Sequence, residues 1–200
     1  MVPEQYRRKL SKDEINALPL RHYEGEIRLV RTEEELRAAV DVLLQESIIG
    51  FDTETKPTFR KGKLNAPSLV QCAGADVVFL FQLQWIAMGA ELASLLEAPH
   101  IIKAGVSVRE DVHDLQKMFH FTPCNLVDLA EVARTFKLET FGLRNLAANF
   151  FQWRISKGPQ CSNWSQPNLS ARQVAYAATD AWIGREVCLK MCELGLIRLP

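Results

Sequence analysis

The sequence predicts an α/β domain in which helices flank a central mixed β-sheet. Two observations lead to this prediction. Short apolar runs of strand length come first along the chain, and later runs alternate with segments of helical periodicity. A turn at Gly74-Ala75-Asp76 joins two neighbouring runs, as expected of adjacent strands. The chain of 200 residues is long enough to fill one core, so its length alone does not demand a second domain.

Strands are predicted where apolar and β-branched residues run for several positions, at about 26–30, 47–54, 68–73, 77–81, 101–106 and 125–127. Helices are predicted where apolar residues recur at helical spacing, at about 32–45, 84–97, 109–119, 129–136, 143–150 and 170–195. Thr32 with Glu35 and Ser170 with Gln173 have the spacing of capping boxes, which begin the first and the last of these helices. Gly195 is predicted to end the last one.

Residues 1–23 form a polar extension that contains Pro3 and Pro19. We expect an arm that is packed on the domain or partly disordered, because chain termini are ordered only where other contacts tie them down. The domain itself is predicted to span residues 24–200, and no internal repeat or low-complexity tract interrupts it.

The formal net charge is zero, with 24 basic and 24 acidic residues. Such a chain cannot hold a phosphate backbone by its overall charge, so nucleic-acid binding would require a local basic rim, metal ions, or both. The five cysteines are scattered without a C-x-x-C pair, which indicates neither a zinc site nor a disulfide framework. The apolar runs are too short to cross a bilayer, and no signal peptide is visible. We therefore expect an intracellular protein without a membrane span, cytoplasmic or, in a eukaryote, nuclear.

Asp52 and Glu54 are the first candidate site residues. Side chains two apart in a strand share a face, and Ile49, Phe51 and Thr53 take the opposite one. Two carboxylates side by side repel each other unless a cation lies between them, so the pair indicates a metal site. A solvated acidic end of an edge strand would show the same D-x-E triplet, and the triplet alone is a weak signal.

Asp111 is the second candidate, because it follows the apolar strand at 101–106 and lies in the first turn of the next helix. Residues just beyond the carboxyl ends of such strands line the usual crevice of open α/β sheets. Acidic residues also favour helix N-termini for dipole reasons alone. Glu110 and Asp114 compete for the same role, and the distance from the strand end favours Asp111.

Tyr176 and Asp180 form the third cluster. They are four residues apart on a predicted helix and therefore share one face. A tyrosine hydroxyl one turn from a metal-bound carboxylate can hold a water molecule that the metal activates. An ordinary Tyr-Asp pair with a half-buried ring is the competing interpretation.

In this order, the three clusters resemble the DEDDy 3′-5′ exonucleases, the branch of RNase D and the Werner-syndrome exonuclease, which have an RNase H-like (DnaQ-like) three-layer fold. Further segments match motifs of that family: Gly142-Leu143-Arg144-Asn145-Leu146, Cys161-Ser162-Asn163-Trp164-Ser165, and the stretch from Gln173 to Ala181. The resemblance runs from about residue 25 to residue 194, which is nearly the whole chain.

The resemblance implies a 3′-5′ exonuclease that hydrolyses DNA or RNA by a two-metal-ion mechanism and releases nucleoside 5′-monophosphates. Asp52 would bridge two divalent cations, Mg²⁺ or Mn²⁺, with Glu54 and Asp180 completing the first site. Asp111 would hold the second cation, mainly through water, and Tyr176 would orient the attacking water. All five positions carry the expected residue type, so nothing in the sequence indicates an inactive enzyme.

Two alternative functions stay open. The first is RNA 3′-end processing as in RNase D, although that protein carries extra C-terminal helical domains and this chain ends at Pro200. The second is a non-catalytic module that binds nucleic acid or protein, which loss of a carboxylate would indicate. Preference for DNA or RNA, substrate structure and oligomeric state are not determined by the sequence.

Several residues outside the clusters have both a functional and an ordinary interpretation. Basic side chains could contact a phosphate backbone or be solvated, namely the segment Arg60-Lys61-Gly62-Lys63 and Arg144, Arg154, Lys157 and Arg172. Trp164 could stack on a base or anchor the last helix. Asp128 is predicted to cap the helix that follows it, and His113 to lie on the surface.

Overall fold

A computed structural model of the chain describes residues 2–58, 65–87 and 89–198. Within these residues the strands are β1 (Glu26–Val30), β2 (Ile48–Thr55), β3 (Pro67–Ala73), β4 (Val77–Gln82), β5 (Ile102–Gly105) and β6 (Leu126–Asp128). They form one sheet in the order β1-β4-β3-β2-β5-β6. The β2-β3 and β3-β4 pairs are antiparallel, whereas β1 pairs with β4, β2 with β5 and β5 with β6 in parallel. The predicted mixed sheet is confirmed.

The helices are α1 (Lys12–Ala17), α2 (Glu33–Leu43), α3 (Ala90–Glu97), α4 (Val108–Gln116), α5 (Leu129–Thr135), α6 (Leu143–Phe151) and α7 (Ala171–Glu193). Short 3₁₀ turns lie at Glu4–Tyr6 and Gly158–Cys161. Both predicted capping boxes are present, at the beginning of α2 and of α7. Asp128 caps α5 by accepting hydrogen bonds from two backbone amides, as predicted.

Two boundaries were predicted wrongly. The helix expected from residue 84 begins at Ala90, because Trp85 closes a turn after β4 by donating its amide hydrogen to the Gln82 carbonyl. The short strand expected from Asn125 begins one residue later, because Asn125 has a left-handed backbone with φ of 49°. Neither change moves a candidate site residue.

Helices cover both faces of the sheet and give the chain three layers. On one face, α2, α3 and α4 pack over Phe51, Phe79 and Phe81 in a continuous apolar core. On the other face, α5, α6 and α7 pack over Ile48 and Ile102, and α7 continues across Leu69 of β3 and Leu80 of β4. The three-layer arrangement predicted from the sequence is therefore confirmed.

Small residues let α7 lie directly against the middle of the sheet. Ala177, Ala178 and Ala181 are fully buried at this contact. At Gly50 of β2, a Cβ atom would lie 1.8 Å from the Ala181 carbonyl oxygen and 2.8 Å from the Arg185 amide nitrogen. This close approach determines how far β2 and α7 stand apart.

The polar extension is packed on the domain along α6 and α7, in agreement with the first of the two expectations. The Asn149 side-chain amide of α6 donates hydrogen bonds to the Tyr6 and Arg8 carbonyls, at 3.2 and 2.9 Å. Further along, the Tyr23 amide donates to the Thr179 hydroxyl at 3.0 Å. We call residues 2–23 the arm; the domain boundary at residue 24 stays a prediction.

In the described ranges, no helix combines the length and the apolar character that crossing a membrane would require.

Replacing Gly50 with alanine should force β2 and α7 apart, because the added methyl group overlaps backbone atoms that cannot rotate away. We expect a loss of about 3 kcal/mol, or roughly 6–12 °C in Tm, measured by thermal unfolding. Gly89→Ala is the matched control, because its Cβ would meet no atom closer than 3.9 Å. Equal Tm values for the two variants would contradict the close approach.

Candidate active site

Three carboxylates from two elements meet where α7 crosses β2. The side chains of Asp52, Glu54 and Asp180 each offer an oxygen atom, and these atoms lie within 4.8 Å of one another. Strand alternation places Asp52 and Glu54 on the face that α7 covers, and the Gly50 contact brings Asp180 down to them. Glu54 is buried, with 8% of its surface exposed, whereas Asp52 and Asp180 are partly exposed.

Asp111 approaches the same end of β2 from α4, on the opposite face of the sheet. Its carboxylate accepts a hydrogen bond of 2.6 Å from the Thr53 hydroxyl. Of the neighbouring carboxylates, Asp111 contributes most to the rise in the pKa of Asp52, as expected of a nearby charge. Asp111 therefore lies beside the group of three carboxylates but is not part of it. Glu110 and Asp114 do not occupy the same position.

Tyr176 lies one turn before Asp180 on α7, and its hydroxyl donates a hydrogen bond to the Asp180 carboxylate. The ring packs near Trp164, with 6.1 Å between ring centroids. Because Trp164 is 1% exposed, it anchors α7 and has no free face on which a base could stack. Of the two interpretations of Trp164, anchoring is the one that the structure supports.

Burial raises the pKa of every carboxyl group in the cluster. Burial, followed by repulsion from Asp180 and Asp111, raises the pKa of Glu54 to about 9. Burial raises the pKa of Asp111 and of Asp180 to about 7, although the hydrogen bonds from Thr53 and Tyr176 oppose the shifts. Burial and its acidic neighbours also raise the pKa of Asp52 well above the usual range. Negative charge here is costly unless protons or cations offset it.

Comparison with known proteins identifies the family. A model of the 3′-5′ exonuclease family matches residues 27–194, which is most of the chain. The chain belongs to the 3′-5′ exonuclease family.

Similar members of this exonuclease family come from different kinds of protein. The chain is 33% identical over 155 residues to the bifunctional 3′-5′ exonuclease/ATP-dependent helicase WRN of Mus musculus, a match that covers 74% of the chain and 11% of the relative. It is 32% identical over 158 residues to ribonuclease D of Gluconacetobacter diazotrophicus, covering 76% of the chain and 39% of the relative. The chain therefore spans well under half of either relative.

Solved structures agree with the RNase H-like fold of an exonuclease domain. The EXO domain of Aedes aegypti Nibbler superposes with a TM-score of 0.77 at 26% identity, covering 92% of this chain and 95% of that one. Escherichia coli RNase D superposes with a TM-score of 0.74 at 21% identity, covering 86% and 47% of the two chains.

The donor set of this exonuclease domain suits a divalent cation. Carboxylate oxygens are the ligands that Mg²⁺ and Mn²⁺ prefer, and three of them converge within one coordination sphere. In the described part of the chain, none of Asp52, Glu54, Asp111 and Asp180 forms an ion pair with a basic side chain. The group therefore has both the ligand atoms and the uncompensated charge that a cation would neutralise.

A cleft of about 350 Å³ opens above the cluster. Asp52, Tyr176 and Asp180 line it together with Arg144 and Lys157. The Arg144 side chain is held by a hydrogen bond of 2.9 Å from Nε to the Ile155 carbonyl. Acidic groups and basic groups thus line the same space.

Among the described residues, the remaining candidates from the sequence do not join the carboxylate cluster. His113 is exposed, as predicted, and Asp114 forms a surface pair with Lys117. Arg154 lies on the path of the arm, where its backbone pairs with Pro19 and Arg21. The segment at 60–63 lies outside the described residues.

Sequence reasoning missed two residues that help to build the site. Thr53 was assigned only to the face opposite Asp52, and its hydrogen bond to Asp111 depends on where α4 packs. Gln71 lies opposite Asp52 in the β2-β3 pair and is fully buried. Among the described residues, its amide nitrogen and oxygen have no hydrogen-bond partner. The signal in the sequence was a glutamine within the apolar run of β3, because a buried amide group ordinarily has hydrogen-bond partners.

Removing divalent ions should make stability fall as pH rises. The folded-state pKa of Glu54 is about 9 against an ordinary value of 4.5, so between these values the folded state binds more protons than the unfolded chain. With chelator present, we expect Tm to decline from about pH 5 to about pH 9, and Mn²⁺ to raise Tm more at pH 8 than at pH 6.

Glu54→Gln is the matched variant for this measurement. Because it removes the carboxyl group whose pKa is raised to about 9, its Tm with chelator should exceed that of the unsubstituted protein at pH 8 by at least about 2 °C. A decline of Tm with the same slope in both proteins would contradict the assigned cause.

Proposed function

We propose that this chain is a 3′-5′ exonuclease that hydrolyses phosphodiester bonds from the 3′ end of nucleic acid and releases nucleoside 5′-monophosphates. The observation that carries the proposal is the convergence of Asp52, Glu54 and Asp180 beneath a hydroxyl from Tyr176, in a member of this family. The domain would comprise residues 24–200, which include the matched range 27–194.

The proposed cofactors are two divalent cations, Mg²⁺ or Mn²⁺. Asp52, Glu54 and Asp180 would hold the first, with Asp52 shared, and Asp111 would hold the second from the α4 side. When bound, the cations supply a water activated for attack and neutralise charge on the phosphate and on the leaving oxygen. Loss of protons from the four carboxyl groups accompanies binding, so occupancy should increase with pH.

Tyr176 would position the attacking water. Burial and the neighbouring carboxylates raise the pKa of Tyr176, so the hydroxyl keeps its proton at neutral pH. It donates a hydrogen bond to the Asp180 carboxylate. The lone pairs of the same oxygen then remain available to accept a hydrogen bond from water. This arrangement orients one lone pair of that water toward the phosphorus atom while Tyr176 itself gains no charge.

The basic residues of the cleft would hold the substrate. Arg144 and Lys157 line the same cleft as the carboxylates and could contact the non-bridging oxygens of the phosphate. The cleft has a volume of about 350 Å³, and we expect one terminal nucleotide to enter at a time. Entry of one terminal nucleotide would favour ends over internal bonds.

RNA 3′-end processing is the second candidate, and it differs from the first only in substrate. One observation favours it: the identity to a ribonuclease D, 32%, is nearly equal to the identity to WRN, 33%. A non-catalytic binding module is disfavoured, because each of the five site positions keeps its functional side chain.

The proposed activity is tested with DNA and RNA strands of matched sequence, labelled at the 5′ end and incubated with Mg²⁺ or Mn²⁺. We expect a ladder that shortens by single nucleotides and disappears with chelator. Asp52→Asn, which keeps the size of the side chain but removes its charge, should lower the rate by at least about 10³-fold. Thermal unfolding verifies that the variant folds.

A full rate in Asp52→Asn would exclude the proposed metal site. Digestion of DNA but not RNA, or the reverse, would decide between the two candidate substrates. Label placed at the 3′ end provides the control for direction, since a 3′-5′ enzyme releases it in the first product.

Tyr176→Phe should reduce kcat by about 10²-fold, because it removes the hydroxyl that orients the attacking water. Mn²⁺ affinity, measured by calorimetry, should stay within about threefold, because the carboxylates are unchanged. An unchanged kcat would remove the role assigned to Tyr176, and an equal loss of Mn²⁺ affinity would reassign it to the metal site.

A further inference from the structure

A second cavity adjoins the cleft and has nearly the same volume, about 350 Å³. The two spaces share Arg144, Asn145 and Lys157, so these residues lie between them. The far wall belongs to the arm and includes Lys9 and Lys12. We call this space the arm groove. Its position continues the cleft away from the carboxylates.

The lining of the arm groove is strongly basic. Lys9, Lys12, Arg144 and Lys157 all contribute to it, and no carboxylate does. Across the part of the chain that the structure describes, none of these four cations forms an ion pair. The formal charge of the chain is zero, so four cations that form no ion pair among the described residues are a local concentration of positive charge around one space.

The arm that carries two of these cations is held in place on both sides of them. The Lys9 amide donates a hydrogen bond of 2.9 Å to Glu139, and the Leu10 side chain is 7% exposed. Ser11 and Glu14 form a capping box that begins α1. Lys9 and Lys12 are therefore presented by an ordered backbone, which reduces the entropy lost on binding.

We propose that the arm groove binds the sugar-phosphate backbone of the single strand immediately 5′ of the terminal nucleotide. The inference rests on the proposed function, because it requires the 3′ end in the cleft. In this proposal a strand whose end lies beside Asp52 and Asp180 continues past Arg144 and Lys157. Its next phosphates would then meet Lys9 and Lys12.

The dimensions and chemistry of the arm groove favour a single strand. The arm groove and the cleft each have a volume of about 350 Å³, and we expect the groove to take a single strand. Cations suit the phosphates, while the partly exposed apolar side chain of Ile15 suits sugar or base faces. The arm is thereby a substrate-binding part of the protein, in addition to packing on α6.

The test compares Lys9→Ala/Lys12→Ala with the control Lys117→Ala/Lys190→Ala, which removes the same charge from lysines that form surface pairs elsewhere. The measured quantity is kcat/KM on a twelve-nucleotide single strand relative to a dinucleotide. We expect this ratio to fall about tenfold in the arm variant and to stay unchanged in the control. The slope of log KM against log salt for the longer strand should become shallower by about 1.4, corresponding to two phosphate contacts.

Two further measurements distinguish failure of the arm-groove proposal from failure of the proposed function. Lys9→Arg/Lys12→Arg should restore the ratio, because it keeps both charges, and thermal unfolding verifies that all variants fold. Fluorescence anisotropy of the labelled longer strand with chelator measures binding without hydrolysis. If the unsubstituted protein binds this strand but hydrolyses neither substrate, the proposed function fails, and the arm variant still tests the groove by its Kd.

An unchanged ratio, salt slope and Kd in the arm variant would overturn the groove while leaving the exonuclease activity intact. Competition by poly-glutamate as strong as that by an unlabelled strand would also overturn it, since that result would indicate an acidic protein partner.

Discussion

Mutual repulsion among buried carboxylates is the constraint on which this structure depends. Asp52, Glu54 and Asp180 are closer together than like charges in a protein interior can be without compensation. The backbone nevertheless holds them there, through strand alternation in β2 and the contact of Gly50 with α7. Burial, together with repulsion from Asp180 and Asp111, raises the pKa of Glu54 to about 9, which expresses the cost of that arrangement. A site that is strained when it carries negative charge alone gains affinity for whatever neutralises it, and this is why the same residues suit both protons and divalent cations.

The distribution of charge around the site matters more than its total. The chain has no net charge, yet acidic and basic groups both line the cleft, and basic groups alone line the arm groove. A phosphate in the cleft would be attracted to the basic side chains and repelled by the bare carboxylates. Substrate and cations are therefore expected to help each other bind, since each reduces the charge that opposes the other. Arg144 lies at the boundary, where the carboxylate of Asp180 also affects its pKa.

Local sequence patterns predicted most of the fold and the main residues of the site. The D-x-E alternation gave the shared face of Asp52 and Glu54, and the four-residue spacing gave the Tyr176-Asp180 pair; both depend only on the geometry of one element. The features that were missed depend on two elements meeting. Thr53 holds Asp111 because α4 packs over β2, and Gly50 admits α7 because Ala181 faces it. Asn125 and the turn at Trp85 show the other weakness, because a positive φ and a tight turn shift boundaries that apolar periodicity cannot resolve.

The separation of the site along the chain affects when it can first exist. Asp52 and Asp180 come from the second strand and from the last of the described helices, and four of the six described strands are synthesised between them. A nascent polypeptide can pair its early strands well before α7 emerges, but the three carboxylates cannot converge until α7 has packed against Gly50. During synthesis, the acidic cluster is therefore completed together with the core.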